Sequence, residues 1–118
     1  MYVPIFVEKT FNSRDEIIYV TEPLNVVGFK AYTYDLQLRE LNRGTIVTLH
    51  IEHSGTGDYD ETTDWALLGN PTSNDAEGHR VFTASEFANW IRFKLIINNP
   101  TGRSGAKVSL TGHLTRRN

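Results

Sequence analysis

The chain has 118 residues, a formal charge of −2 and no cysteine. This length suits one domain, residues 1–118, built around one hydrophobic core. The near-neutral charge gives no global attraction to nucleic acid or an anionic membrane. The lack of cysteine excludes disulfide staples, thiolate zinc sites and cysteine nucleophiles together.

No apolar run approaches the ~20 residues that span a bilayer. The opening MYVPIFVEKT also lacks the basic, then apolar, then small-residue order of a signal peptide. Within that opening, Tyr2–Lys9 reads as an edge strand, because Pro4 has no N–H to give to a ladder. Asn12, Ser13 and Asp15 mark a turn, and the β-branched and aromatic run Glu16–Thr21 follows until Glu22-Pro23 interrupts it. Val26–Leu41 alternates from Ala31 onward. Tyr32, Tyr34, Leu36 and Leu38 share one face, with Thr33, Asp35, Gln37 and Arg39 on the other. A helical turn over Leu36–Leu41 is the alternative, since Leu38 and Leu41 also suit that spacing.

Asn42-Arg43-Gly44 then sits between two alternating runs and reads as a hairpin turn. In the second run, Thr45–His53, Val47, Leu49 and Ile51 oppose Thr48, His50 and Glu52, which leaves Ile46 on the wet face. Ser54–Asp64 and Gly69–Gly78 are polar loops around the short apolar strand Trp65–Leu68. Arg80–Thr83 is another short strand, and Ala84–Asn89 suggests one helical turn capped by Ser85. In Trp90–Asn98, Ile91, Phe93, Leu95 and Ile97 oppose Arg92 and Lys94. The loop Asn98–Gly105 leads to Ala106–Thr115, where Val108, Leu110 and Leu114 oppose Lys107, Ser109, Thr111 and His113. A period of two demands one buried and one solvated face. About eight such strands predict an all-β antiparallel sandwich, jelly-roll-like, with an immunoglobulin-like sandwich second.

Chemistry is harder to find. Asp58, Asp60, Glu61 and Asp64 form an oxygen-rich loop that could attract calcium. Counting an EF-hand from Asp58, however, puts Thr63 at the glycine position and Gly69 at the bidentate glutamate, so a solvated loop is the better reading. His50 and His53 lie three apart on a strand and point to opposite faces, so one ion cannot readily take both; pairing His50 with His113 depends on whether their strands adjoin. No nucleophile elbow, glycine-rich phosphate loop or paired-carboxylate signature stands out, which points away from an enzyme and implies no cofactor. Tyr59, Trp65 and Trp90 could stack on sugar rings, though the placement of both tryptophans at strand starts favours core or core-rim roles. Arg116 and Arg117, with Arg103 and Lys107, make a small basic group.

The segments NVVGFKAYTYDLQL, GTIVTLHIEHSGTGD followed by a tryptophan, NWIRFKLII and AKVSLTGHL together resemble small β-sandwich virion proteins of tailed bacteriophages. That class includes capsid cement or decoration proteins. The likeness runs from about Val26 onward and carries no catalytic residues. It implies a structural role on the capsid surface of a virion, after synthesis in the host cytoplasm. It also implies a major capsid protein lattice as partner and often a homotrimer, with no nucleic acid or membrane contact. Tyr2, Ile5, Phe6, Ile46, Tyr59 and Arg103 are the expected contact residues. Tyr2, Ile5 and Phe6 lie in the segment Tyr2–Val7, Tyr59 and Arg103 in the loops Ser54–Asp64 and Asn98–Gly105, and Ile46 on the wet face of its strand. A carbohydrate-binding module with the same architecture is the runner-up.

Overall fold

The computed structural model describes residues 1–57 and 64–117. Among these residues ten strands form two antiparallel sheets. The first sheet holds β1 (Tyr2–Ser13), β10 (Ser104–Arg116), β4 (Phe29–Arg39) and β8 (Gly78–Ser85), in that order. In the second, β9 (Trp90–Asn98) and β5 (Ile46–Ser54) lie at the centre; β2 (Ile17–Val20) and β3 (Leu24–Asn25) line the free side of β9, and β6 (Ala66–Leu67) and β7 (Thr72–Asn74) line that of β5.

Both outer strands of the second sheet are broken rather than doubled. From Ile17 to Leu24 the chain advances seven residues while its partner retreats six, from Ile97 to Ile91, so Glu22-Pro23 inserts one residue. Proline lacks the ladder N–H, which is why the break falls there. Thr21 bridges it: its N–H donates to the Phe93 carbonyl and its hydroxyl accepts from the Phe93 N–H, both at 2.9 Å. Likewise, Leu67 to Thr72 spans five residues against three from Leu49 to Glu52, so two residues bulge out near Gly69, Asn70 and Pro71. The ten segments are therefore eight strands in jelly-roll order. The sequence shows only the apolar half of each broken strand; Leu24–Asn25 and Thr72–Asn74 are too short and polar to carry a period.

Every link between the eight strands crosses to the other sheet, apart from the step from β5 to β6. The hairpin expected at Asn42-Arg43-Gly44 is therefore wrong: β4 is hydrogen-bonded to β10 and β8, and the turn carries the chain across to β5. Gly44 has φ +88°, and a Cβ there would sit 2.5 Å from Thr101 Oγ1, so only glycine fits this close crossing. The helical alternative at Leu36–Leu41 also fails, because β4 stays extended through Arg39. The helical turn at Ala84–Asn89 does not form either. Ala84 and Ser85 belong to β8, Glu86 takes φ +58°, and Phe87 turns inward and is buried.

The faces follow the alternation. Tyr32, Tyr34, Leu36 and Leu38 of β4 meet Ile91, Phe93, Leu95 and Ile97 of β9 in the core, with Val47, Leu49, Val108 and Leu110. Phe93 is the hub, its ring 6.0 Å from Tyr32 and 5.3 Å from Tyr34. Tyr32 satisfies its hydroxyl by donating to the Val3 carbonyl at 2.7 Å. Ile51 packs against this core but is only half-buried.

Side-chain amides tie down the loops at both ends. Asn99 Nδ2 donates to the carbonyls of Arg43 and Arg103, joining the loop before β5 to the loop before β10. At the other end Val26 donates its N–H to Asn89, and the Asn89 amide donates to the Gly55 carbonyl.

Candidate functional site

Three places on this framework gather chemistry. The first is the outer face of the second sheet, where the alternation predicts solvent for Arg92. The side chain does point outward, yet it is only 3% exposed. Its Nε donates to Glu52 Oε1 at 2.7 Å, directly across the β5–β9 ladder, and its guanidinium lies 4.3 Å from the Trp65 ring centroid. A carboxylate and an aromatic face replace part of its water, while Nη1 is buried with no hydrogen-bond partner among the described residues. Trp90, two residues along the same face, has its ring against Gly57, where a Cβ would come within 2.6 Å. Both tryptophans are thus half-buried and already in contact with the protein, rather than paired as one open sugar platform.

Farther along the same face, Ile18 stands opposite Ile96, and Ile46 lies diagonal to Ile96 across β5. Ile18 is more than half exposed, at the free edge of β2. These three isoleucines make an apolar strip running to an open strand edge.

The second place is the flank where β1 and β2 face each other. A groove of about 210 Å³ runs between them, lined by Val3, Pro4, Ile5, Tyr19 and Leu24. Beside it Phe6 and Phe11 pack on Tyr19 at 5.8 and 5.4 Å, with the Lys9 ammonium 4.7 Å from the Tyr19 ring. Of the expected contact residues, Ile5 and Phe6 belong to this packing and are half-buried, while Tyr2 is exposed with its ring 5.3 Å from His113. Two bulges and the left-handed Glu8 (φ +50°) kink β1, and Val7 is the large apolar side chain exposed beside them. Ile46 is on the other sheet. Arg103 sits in the loop at one end, donating from Nε to Asn12 Oδ1. The expected residues thus fall in three separate regions. Tyr59 and the acidic positions Asp58, Asp60 and Glu61 lie outside the described residues.

Sequence reasoning missed Ile18, and reached Val7 only as the last residue of the segment Tyr2–Val7. The signal for Ile18 was present: in Ile17–Val20 all four residues are apolar, so some must occupy the outer face.

The third place is the opposite flank, where β8 faces the broken strand β6–β7 across a groove that Tyr34 lines. Burial pushes the phenols of both Tyr32 and Tyr34 upward, Tyr34 to about 12.

The histidines do not converge. His50 is on the second sheet and His113 on the first, while His53 Nδ1 accepts the Ala88 N–H at 3.1 Å. Among the described residues no three His, Cys, Asp or Glu side chains gather as metal ligands.

No family model matches the chain, and neither does any curated protein. Solved structures do. The chain is similar to a chain in the structure of infectious bursal disease virus, Gx strain, with TM-score 0.62 and 12% identity over 94% of this chain and 30% of that one. The mutant VP2 protein of the same virus, in T=1 particles, gives TM-score 0.61 at 11% identity, covering 98% of this chain and 31% of that one. The chain thus spans about a third of the length of those viral chains. PirA matches with TM-score 0.58 and 10% identity over 92% of this chain and 94% of its own. TmCBM61, solved with β-1,4-galactotriose, gives TM-score 0.52 and 10% identity over 92% of this chain and 69% of its own. At these identities the likeness is one of fold: a jelly-roll-like β-sandwich shared with viral capsid domains and a carbohydrate-binding module.

Proposed function

We propose that the protein is a non-enzymatic structural component of a tailed-phage virion, a decoration protein that binds and stabilises the outer capsid lattice as a homotrimer. One observation carries this reading: the apolar strip Ile46, Ile96 and Ile18 ends at the unpaired edge of β2, beside the flank that also exposes Tyr2 and Val7. An open edge offers backbone hydrogen bonds, and the strip beside it offers apolar area to bury. Repeated on a lattice, modest contacts of this kind add through multivalency. The fold supports the same reading, since the VP2 jelly roll it resembles is part of a virus particle. For the runner-up, sugar binding on the tryptophans, the rings of Trp65 and Trp90 would first have to shed Arg92 and Gly57.

The test is co-sedimentation with empty capsids, alongside sedimentation equilibrium of the free protein. The charged variants Val7→Glu and Ile18→Glu alter exposed side chains and leave folding within about 0.5 kcal/mol of wild type. They are expected to weaken lattice binding or trimer formation. A strictly monomeric protein that never co-purifies with virions refutes the proposal. Glycan binding abolished by Trp65→Ala would replace it with the runner-up.

A further inference from the structure

On the flank away from β1 and β2, the sheets part around a groove of about 460 Å³ between β8 and the broken strand β6–β7. That is within the ~300–1,000 Å³ of small-molecule sites. Its inner wall is apolar: Tyr34, Ile51, Leu68, Phe82 and Ala84. Phe82 stacks on Tyr34 with centroids 5.5 Å apart and planes at 28°, and the half-buried ring turns its remaining surface to the groove. The lips are polar. Asn70 stands on one side, Ser85 and Glu86 on the other, all exposed. The Thr72 hydroxyl is buried, with no hydrogen-bond partner among the described residues. Its oxygen is closed off from solvent, so the polar groups open to the groove are those of Asn70, Ser85 and Glu86.

The charge pattern narrows the ligand. No lysine, arginine or histidine lines the groove, while Glu86 does, so anions are disfavoured. An aromatic surface flanked by an amide, hydroxyls and a carboxylate suits a molecule with one CH-rich face and a rim of hydroxyls. The backbone gives an independent sign. Gly69 (φ +69°) and Glu86 (φ +58°) are both left-handed on opposite lips. For glutamate that conformation is strained where glycine would not be, and retained strain clusters at functional sites.

We propose that this groove is a saccharide site, taking one neutral pyranose. The CH face lies on Phe82, and the hydroxyls bond to Asn70, Ser85 and Glu86. The inference rests on the groove alone. A chain that never touches a capsid would still bind the sugar, so the two proposals fail separately.

The test is amide NMR titration of the full chain with methyl β-galactoside, methyl α-mannoside and N-acetylglucosamine in turn, with glucuronate as the anionic control. At least one neutral sugar should give saturable shifts confined to residues 68–72 and 82–86, and glucuronate should bind several-fold more weakly. Phe82→Ala also disturbs packing, so the exposed variants Asn70→Ala and Glu86→Gly decide the outcome. Glu86→Gly relieves the left-handed strain, so its melting temperature should hold or rise while affinity falls about tenfold. Absence of a saturable shift with all three neutral sugars overturns the proposal. So do shifts centred on Trp65 and Trp90, or unchanged affinity in both exposed variants.

Discussion

Removing the Glu52 carboxylate is expected to destabilise the protein more than any other single change on the outer faces. In Glu52→Ala the Arg92 guanidinium, 3% exposed, loses the oxygen that its Nε contacts at 2.7 Å and, among the described residues, keeps the Trp65 ring. Breaking a buried pair from one side costs ~3–5 kcal/mol, because the remaining charge is left without compensation. Glu52 itself is 17% exposed, so water entering its place returns part of this, and about 2–4 kcal/mol is the expected loss. Against a total stability of ~5–15 kcal/mol this is a large fraction. Urea unfolding should show the midpoint falling with an unchanged slope. Arg92→Met in the Glu52→Ala background should recover much of the loss, since an apolar chain of similar reach removes the orphaned charge and still packs on Trp65. A loss below about 1 kcal/mol in Glu52→Ala, or no recovery in the double variant, would mean that the guanidinium is hydrated and the burial argument is wrong.

Leu95→Ala removes a fully buried side chain facing the first sheet and should cost ~2–5 kcal/mol in the same denaturation assay. Gly112→Ala places a methyl group 2.7 Å from Tyr32 Cζ and against the Thr33 carbonyl, so overpacking should cost ~1–3 kcal/mol even though alanine suits a strand better than glycine. Alkali should unfold the protein through its tyrosines. The Tyr34 phenol is raised from 10.0 to about 12 in the folded state, so its stabilising contribution is complete below pH 10 and lost as pH rises toward 12. Phenolate absorbance should show the buried tyrosines ionising together with loss of the β-sheet signal, not before it.

The sequence makes the core legible because β4, β5, β9 and β10 each have one face in the sandwich interior and the other outside it, and that geometry imposes a period of two. The crossing of strands between sheets leaves no such mark. The turn at Asn42-Arg43-Gly44 looks locally like any hairpin turn, and only the pairing of β4 with β10 and β8 shows that β5 belongs elsewhere. The broken strands were half legible for a related reason. Pro23 and Pro71 punctuate the sequence as loop signals do, yet here they mark bulges inside single strands.

The candidate surfaces were less legible than the core. Arg92 obeys the alternation and still ends up buried, because burial on an outer face depends on what covers it, and Trp65 reaches it from the far end of a loop. Ile46 was noticed as an apolar residue on a wet face, but its meaning waited on register: only the pairing of Thr48 with Ile96 and of Ile96 with Ile18 joins three separate isoleucines into one strip. The saccharide groove depends on long-range placement throughout. Asn70 and Thr72 come from a bulged strand, Phe82 and Glu86 from the edge of the other sheet, and no short motif contains them. A jelly roll therefore makes its surfaces from residues far apart in sequence. Its two flanks, one apolar beside an open edge and one lined with hydroxyls and a carboxylate, are suited to different partners and can be tested by different substitutions.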